Sequence, residues 1–355
     1  MNSPLQALNP HQIAILDASV RMVLPQLDSA ALRGKRLFIT GGTGFFGLWL
    51  LSTLACLNRE ACEVQACVLS RDPAAFVRKN PQFQGQAWLS FVQGNVRDFE
   101  MPAEREFDLL IHAATETSMA AHDRPLQMFD DIVMGTRRVI ATAIASGVQR
   151  MLLVSSGAVY GVKPADLVLQ PEESALACDP LQSTNAYGEG KRVMELLGAM
   201  AQQAHGIESV VARCFAFSGP GLPIDAHFAI GNFVRDALSA DVIRVQGDGC
   251  PLRSYLYGAD LAVWLLQLLT LGRPGRSYNV GSDEGLSIGE LAHRVRDCLA
   301  PSKLVQIMQP PGRLPVKRYV PAITRAREMG LSPWTSLDTA LQLSANYWRN
   351  SGRTS

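Results

Sequence analysis

The stretch FITGGTGFFG, residues 38–47, places four glycines among ten positions directly after an apolar run. The preceding KRLFIT reads as a short buried strand, and the following LWLLSTLACL is apolar over a length that suits a helix. The glycines therefore occupy a strand-to-helix turn. The first amides of a helix lack internal partners and the helix dipole adds partial positive charge there, so such a turn suits a phosphate. Gly41, Gly44 and Gly47 give the spacing G-x-x-G-x-x-G, slightly wider than that of many dinucleotide folds. On this reading Gly41 makes the tight turn, Gly44 admits a pyrophosphate and Gly47 lets helix and strand pack, with Thr43, Phe45 and Phe46 completing the cofactor loop. The order strand, turn, helix separates it from a glycine-rich turn that binds nothing.

Working outward, apolar strands alternate with helices from residue 35 to about 155: RLFIT, VQACVLS, LSFVQG, DLLIHAA and RMLLVSS. Alternation of this kind implies parallel crossover units and an α/β, Rossmann-like doubly wound sheet. Sites in such sheets lie beyond the carboxyl ends of the strands. The second strand ends in VLSRDP, where an NAD-binding chain usually has a carboxylate for the ribose hydroxyls. Here Ser70 and Arg71 stand in that place, with Asp72 one step later. A guanidinium and a hydroxyl suit a 2′-phosphate, which favours NADP over NAD, although Arg71 stacked on the adenine or Asp72 turned back would leave NAD in play. In GNVRD, after the third strand, Asn95 and Val96 are placed against the adenine together with Asp98; the bland alternative is a polar turn.

Composition sets the class. The 355 residues carry 47% hydrophobic and 18% charged residues and a net charge of +1, so a sizeable core is expected and neither nucleic acid nor an anionic membrane is indicated as a partner. Seven cysteines without paired spacing or nearby histidines argue against a disulfide framework and against a metal site, and fit free thiols in a reducing cytoplasm. Residues 1–33 read as a helical N-terminal extension, with Ile13, Ile15, Leu16, Val20 and Val23 at helical spacing and no pattern of a signal peptide or membrane span.

The chemistry-bearing residues come next. NAYGEGKRVMELL opens a periodic helix in which Tyr187 and Lys191, four apart, share one face. A free phenol ionises near pH ~10, and a neighbouring ammonium is expected to lower that value and make Tyr187 a proton acceptor. Upstream, LLVSSGAVYG ends a strand with Ser155 and Ser156, and Ser156 is placed to donate to a substrate oxygen while Tyr187 exchanges its proton.

With TGGTGFFG, HAA at 112–114, SSGAVYG, YGEGK, GDG at 247–249, RSYLYGAD at 253–260 and YNVG at 278–281 in this order, the chain resembles the extended short-chain dehydrogenase/reductase family, in its nucleotide-sugar epimerase and dehydratase branch, over about residues 35–345. The resemblance implies that Ser156, Tyr187 and Lys191 are catalytic and that Lys191 also holds the nicotinamide ribose. It implies that Ala113, Ala114, Thr115 and Ser155 line the cofactor and that Cys214 and Phe215 border the nicotinamide. A dinucleotide domain over 34–215 plus about 252–275 and a smaller, discontinuous α/β substrate domain over about 216–251 and 276–345 follow from it. Substrate contacts fall to Thr117, Ser118, Ala216, Asn232, Arg253 and Arg318, the two arginines gripping a nucleotide diphosphate; each arginine could instead form a surface ion pair. The resemblance further implies a homodimer formed through helices at about 125–146 and 186–205.

Four positions depart from that pattern. Ala216 and Ile132 stand where the family often has Asn. Gly157 and Ala158 stand where 4,6-dehydratases carry an Asp-Glu pair and decarboxylases a Glu, so elimination lacks its usual acid and base; Glu116 is a conceivable substitute or a solvated loop residue. The expectation is an NAD(P)-dependent enzyme acting at C4 of a nucleotide-diphosphate hexose, first a 4-epimerase and second an NADPH-dependent 4-ketoreductase. An oxidoreductase of hydrophobic ring alcohols is disfavoured by Arg253 and Arg318. A catalytically silent dinucleotide sensor is disfavoured by the intact Tyr187 and Lys191.

Overall fold

The computed structural model describes residues 7–102, 105–116, 118–164, 166–226, 228–312 and 316–349. The apolar runs form strands β1 (Arg36–Thr40), β2 (Gln65–Ser70), β3 (Leu89–Gln93), β4 (Leu109–His112), β5 (Arg150–Ser156) and β6 (Glu208–Cys214). Short strands follow: β7 (Phe217–Ser218), β8 (Val242–Val245), β9 (Leu252–Arg253), β10 (Leu256–Tyr257), β11 (Ser277–Val280), β12 (Leu286–Ser287), β13 (Leu304–Ile307) and β14 (Arg318–Tyr319). Seven strands make one parallel sheet in the order β3-β2-β1-β4-β5-β6-β11. The strand order reverses between β1 and β4, and the crevice at that reversal lies directly above the glycine turn.

The helices are α1 (Pro10–Val23), α2 (Phe45–Arg59), α3 (Pro73–Lys79), α4 (Met119–His122), α5 (Pro125–Ala145), α6 (Ala186–His205), α7 (Ala229–Ser239), α8 (Gly258–Leu271), α9 (Ile288–Leu299), α10 (Thr324–Glu328) and α11 (Leu337–Arg349). Alternate side chains of β1 enter opposite layers, as a period of two requires. Leu37 and Ile39 join a core with α1, α2 and α8, while Phe38 joins a second core with α5 and α6. Helix α8 is apolar nearly all round and buried along most of its length, which an interior helix requires.

The N-terminal extension is helical, and α1 packs against α2, α8 and α11. An Asn9–Gln12 capping box starts it; Gln12 donates to the Tyr347 carbonyl and Ser19 shares a 2.7 Å hydrogen bond with Tyr257. It thus ties the sheet layer to the C-terminal helix. The second lobe is built from small sheets, β9 with β12 and β14, and β8 with β13, flanked by α7 and α9. The seven cysteines are unpaired. No helix among the described residues is long and apolar enough to cross a membrane.

Candidate active site

The three motif glycines have separate physical reasons. Gly41 has φ +74°, and a Cβ there would lie 2.5 Å from the backbone of Ala113. At Gly47 a Cβ would lie 2.1 Å from the backbone of Gly42, so only a glycine lets α2 close on the turn. Above Gly44 there is open space, the nearest atom to a Cβ being the Gly41 carbonyl at 3.6 Å. Gly44 caps α2 without a side-chain bond, leaving the first helical amides facing the crevice. A pyrophosphate fits this cradle.

The floor under the turn is polar and fully paired. Thr136 donates to the Ile132 carbonyl, so it must accept from His112 Nε2, which leaves His112 Nδ1 to accept from Thr40 at 2.7 Å. Burial and the nearby Lys191 charge push His112 down to about 3, so this ring stays neutral. Ile132, where the resemblance led to Asn, is buried and packs toward Gly190 of α6.

At the end of β2, Asp72 is spent as the N-cap of α3, accepting from the Ala75 amide at 2.8 Å. That leaves Ser70 and Arg71 at the crevice, and Arg71 reaches across it to Glu116 at 3.3 Å in an exposed ion pair. Asn95 and Val96 line the same arm of the cavity, with Thr43, Phe45 and Phe46 from the turn. Ala113, Ala114 and Thr115 line it where β4 ends.

Ser156, Tyr187 and Lys191 are brought together on the cavity wall by β5 and α6. Lys191 is buried, its ammonium donating to Thr115 Oγ1 at 2.8 Å and to the Val154 carbonyl at 2.7 Å. Burial pushes Lys191 down to about 8, opposed by Cys214 and Glu195. Tyr187 departs from the expectation. Burial pushes its phenol up to about 12, opposed by the neighbouring Ser156 hydroxyl, and Lys191 lies 5.9 Å from the ring centroid with its protons directed elsewhere. The i, i+4 spacing put the two side chains on one face, but desolvation sets the direction of the shift.

Of the remaining expected residues, Ser155 reaches the cavity wall while its hydroxyl donates to Glu195 at 2.6 Å, within the Glu195–Arg213 ion pair. Cys214, Phe215 and Ala216 line the cavity, and burial pushes the Cys214 thiol up to about 12. Ser118 lines it too and caps α4; Thr117 lies outside the described residues. Arg253 lines it with no carboxylate partner among the described residues, its guanidinium 5.6 Å from the Tyr319 ring centroid. Asn232 and Arg318 do not line it. Asn232 accepts from Arg235 at 3.2 Å, and the first turn of α7, with Phe228 before it, faces the cleft instead. Arg318 has a buried Nε without a partner, and its strand neighbour Tyr319 takes the place facing the site. Tyr319 and Tyr255 are lining residues that the motif reading passed over; the period of two along β14 is the signal that separates Arg318 from Tyr319.

The whole cleft has a volume of about 1500 Å³. Single-ligand pockets measure roughly 300–1,000 Å³, so this one has room for a dinucleotide and a second ligand together.

The model of the NAD dependent epimerase/dehydratase family matches residues 37–281. The chain belongs to that family. Among curated family relatives, UDP-glucuronic acid decarboxylase 3 of Arabidopsis thaliana is 29% identical over 314 residues, covering 87% of each chain. Among solved structures, dTDP-glucose 4,6-dehydratase of Streptomyces venezuelae, with NAD bound, superposes with a TM-score of 0.75 at 25% identity, covering 89% of this chain and 98% of that one. UDP-glucose 4-epimerase of Thermotoga maritima gives 0.74 at 20% identity, covering 88% and 98%, a likeness of fold. The family is thus one of NAD(P)-dependent enzymes, and its members include decarboxylases, dehydratases and epimerases.

Proposed function

We propose that this protein is a 4-epimerase of a nucleotide-diphosphate hexose that retains its dinucleotide, NADP in preference to NAD. The observation that carries this reading is the aromatic wall beside Ser156. A Cβ at Gly157 would lie 2.7 Å from the Phe215 ring, and Phe215 packs on Tyr319 with centroids 4.7 Å apart. Where the decarboxylase and dehydratase branches carry carboxyls, this cleft has an aromatic wall that a side chain at 157 would have to displace. The carboxyls that serve elimination in those branches are replaced at 157 and 158, while the groups for exchange at one carbinol are present.

Those groups act as follows. The bound dinucleotide supplies a reversible hydride acceptor. Tyr187 takes and returns the proton of the C4 hydroxyl, Ser156 hydrogen-bonds the same oxygen, and Lys191 holds Thr115 and the cofactor's ribose edge in place. Inversion needs the ketone to turn over, and a cleft of about 1500 Å³ has room for that. The dinucleotide is assigned to 34–215 with 252–275, the sugar nucleotide to 216–251 with 276–345 and its diphosphate to Arg253, which has no carboxylate partner among the described residues.

A second reading, an NADPH-dependent 4-ketoreductase, is favoured by Ser70 and Arg71 and by a Tyr187 phenol held in its acid form. The two readings differ in stoichiometry. NMR of purified protein with UDP-hexoses is expected to show the 4-epimer with no net change in nicotinamide absorbance. No epimer, together with NADPH consumption on a 4-keto-6-deoxy nucleotide sugar, would make the enzyme a reductase.

Arg71→Ala is expected to weaken NADP by roughly 10- to 100-fold, the range of a charge-assisted hydrogen bond, and NAD by much less. Equal losses in a calorimetric titration of both dinucleotides would mean that Arg71 stacks on the adenine and does not read the phosphate.

The protein is further proposed to be a homodimer through the paired helices α5 and α6, which leave Leu126, Met134, Leu196 and Met200 exposed. Light scattering at micromolar concentration should give twice the chain mass; a monomer there removes this interface.

A further inference from the structure

Ser156 stands between two phenols. Its Oγ lies 3.2 Å from the Tyr319 hydroxyl, and Tyr187 lines the same cleft beside it. Tyr319 in turn donates to the main-chain carbonyl of Cys214 at 3.3 Å. A carbonyl only accepts, so the single phenolic proton of Tyr319 is committed to Cys214, and Tyr319 must accept from Ser156. The Ala158 amide donates into one Ser156 lone pair at 3.1 Å. The hydroxyl of Ser156 is then fully specified: its proton points at Tyr319, one lone pair takes the Ala158 amide, and the remaining lone pair faces Tyr187 and the cleft.

We propose that Tyr319 is a positioning residue that parks the Ser156 proton, so that Ser156 accepts from a substrate alcohol and turns to donate only once a ketone is present. The inference rests on the reading of Ser156 and Tyr187 as the groups that handle the C4 oxygen. Oxidation would send the C4 hydride to a bound dinucleotide while the hydroxyl proton turns from Ser156 to the ionised Tyr187, which leaves a carbonyl that can only accept. Ser156 then rotates its proton from Tyr319 to that carbonyl, and Tyr319 stays bonded to Cys214. Reduction runs the same exchange backwards, and no bond is made or broken at Tyr319. The phenol is held for this role by Phe215 on one side and by the Arg253 guanidinium over its ring.

A cycle of Tyr319→Phe, Ser156→Ala and the double variant tests the proposal. Tyr319→Phe is expected to lower kcat about 10-fold, the effect of one hydrogen bond in a transition state, with dinucleotide affinity unchanged. If Tyr319 acts through Ser156, the double variant is no slower than Ser156→Ala alone within about twofold. Additive losses, or a Tyr319→Phe enzyme as fast as wild type, overturn the proposal.

The same cycle is read without substrate through the tyrosinate absorbance that is missing in Tyr187→Phe. The groups facing Tyr187 are Lys191 on its own helix, His122 of α4, Ser156, Cys214 and Tyr319. Removing the Tyr319 hydroxyl frees the Ser156 proton to bond the Tyr187 phenolate, so Tyr187 should ionise about 1 pH unit lower, and only where Ser156 is present. An identical titration in Tyr319→Phe and wild type, or the same shift in a Ser156→Ala background, again overturns it. If the wild type turns over no nucleotide sugar, the epimerase reading falls, and the titration still decides the role of Tyr319.

Discussion

Tyr187→Phe is expected to bind dinucleotide almost as wild type does and to lose turnover by at least ~100-fold, the scale of positioned proton transfer. The substitution removes one oxygen from a ring that otherwise keeps its packing beside His122 and above Lys191. The Lys191 bonds to Thr115 and Val154 do not pass through that oxygen, so the floor of the cofactor site stays intact. What is lost is a phenol that lines the cleft beside Ser156 on the same face of α6 as Lys191. Calorimetric dinucleotide binding with single-turnover kinetics checks it. Turnover within about tenfold of wild type would remove Tyr187 as the acid and base, because a side chain that only shapes the pocket gives no such rate.

Much of this arrangement was legible in the sequence, for reasons that are local. The turn at 41–47 is marked by a change of pattern from an apolar strand to a helix, with glycines at the join. Tyr187 and Lys191 share a face because helical spacing alone fixes it. Ser70, Arg71 and Asp72 were readable by position, and the structure adds that a helix cap takes the carboxylate.

What was not legible depends on long-range contacts. Arg318 and Tyr319 occupy a two-residue strand, and which of them faces the cleft is set by pairing with β9, more than sixty positions away. Asn232 lies on a helix whose cleft-facing turn is chosen by the packing of the second lobe. The Tyr187 value went the wrong way for the same reason: spacing shows a neighbour, whereas desolvation is a property of the finished fold. Gly157 looked like spare room from its sequence alone, and the structure shows that Phe215, fifty-eight positions on, fills the direction a side chain would take.

Lys191→Met is expected to abolish most turnover, weaken dinucleotide binding and change how stability depends on pH. The sign follows from the direction of its shift. Lys191 has a folded value of about 8 against 10.5 in the unfolded chain. Between those values the unfolded state holds a proton that the folded state has released, so this residue makes stability rise with pH across that window. Below about pH 8 both states are protonated, and the folded protein carries the full penalty of a buried ammonium, on the order of 3 kcal/mol. Methionine has no charge to bury, yet it leaves the Val154 carbonyl without its donor, which costs about 1–3 kcal/mol. At neutral pH the two effects nearly offset, and the variant should be about as stable as wild type. The stability of wild type relative to the variant should then climb by roughly 3 kcal/mol between pH 8 and 10.5. Taking the difference cancels the buried tyrosines and cysteines, whose raised values pull stability down over the same range. Denaturant titrations of both proteins across that window measure it, and a flat difference would mean that Lys191 keeps its ordinary affinity for protons in the fold. A lysine that adds no net stability at neutral pH and donates to both Thr115 and the Val154 carbonyl is better explained by its charge than by its packing, and the charge sits where Thr115 and the Tyr187 ring meet the crevice.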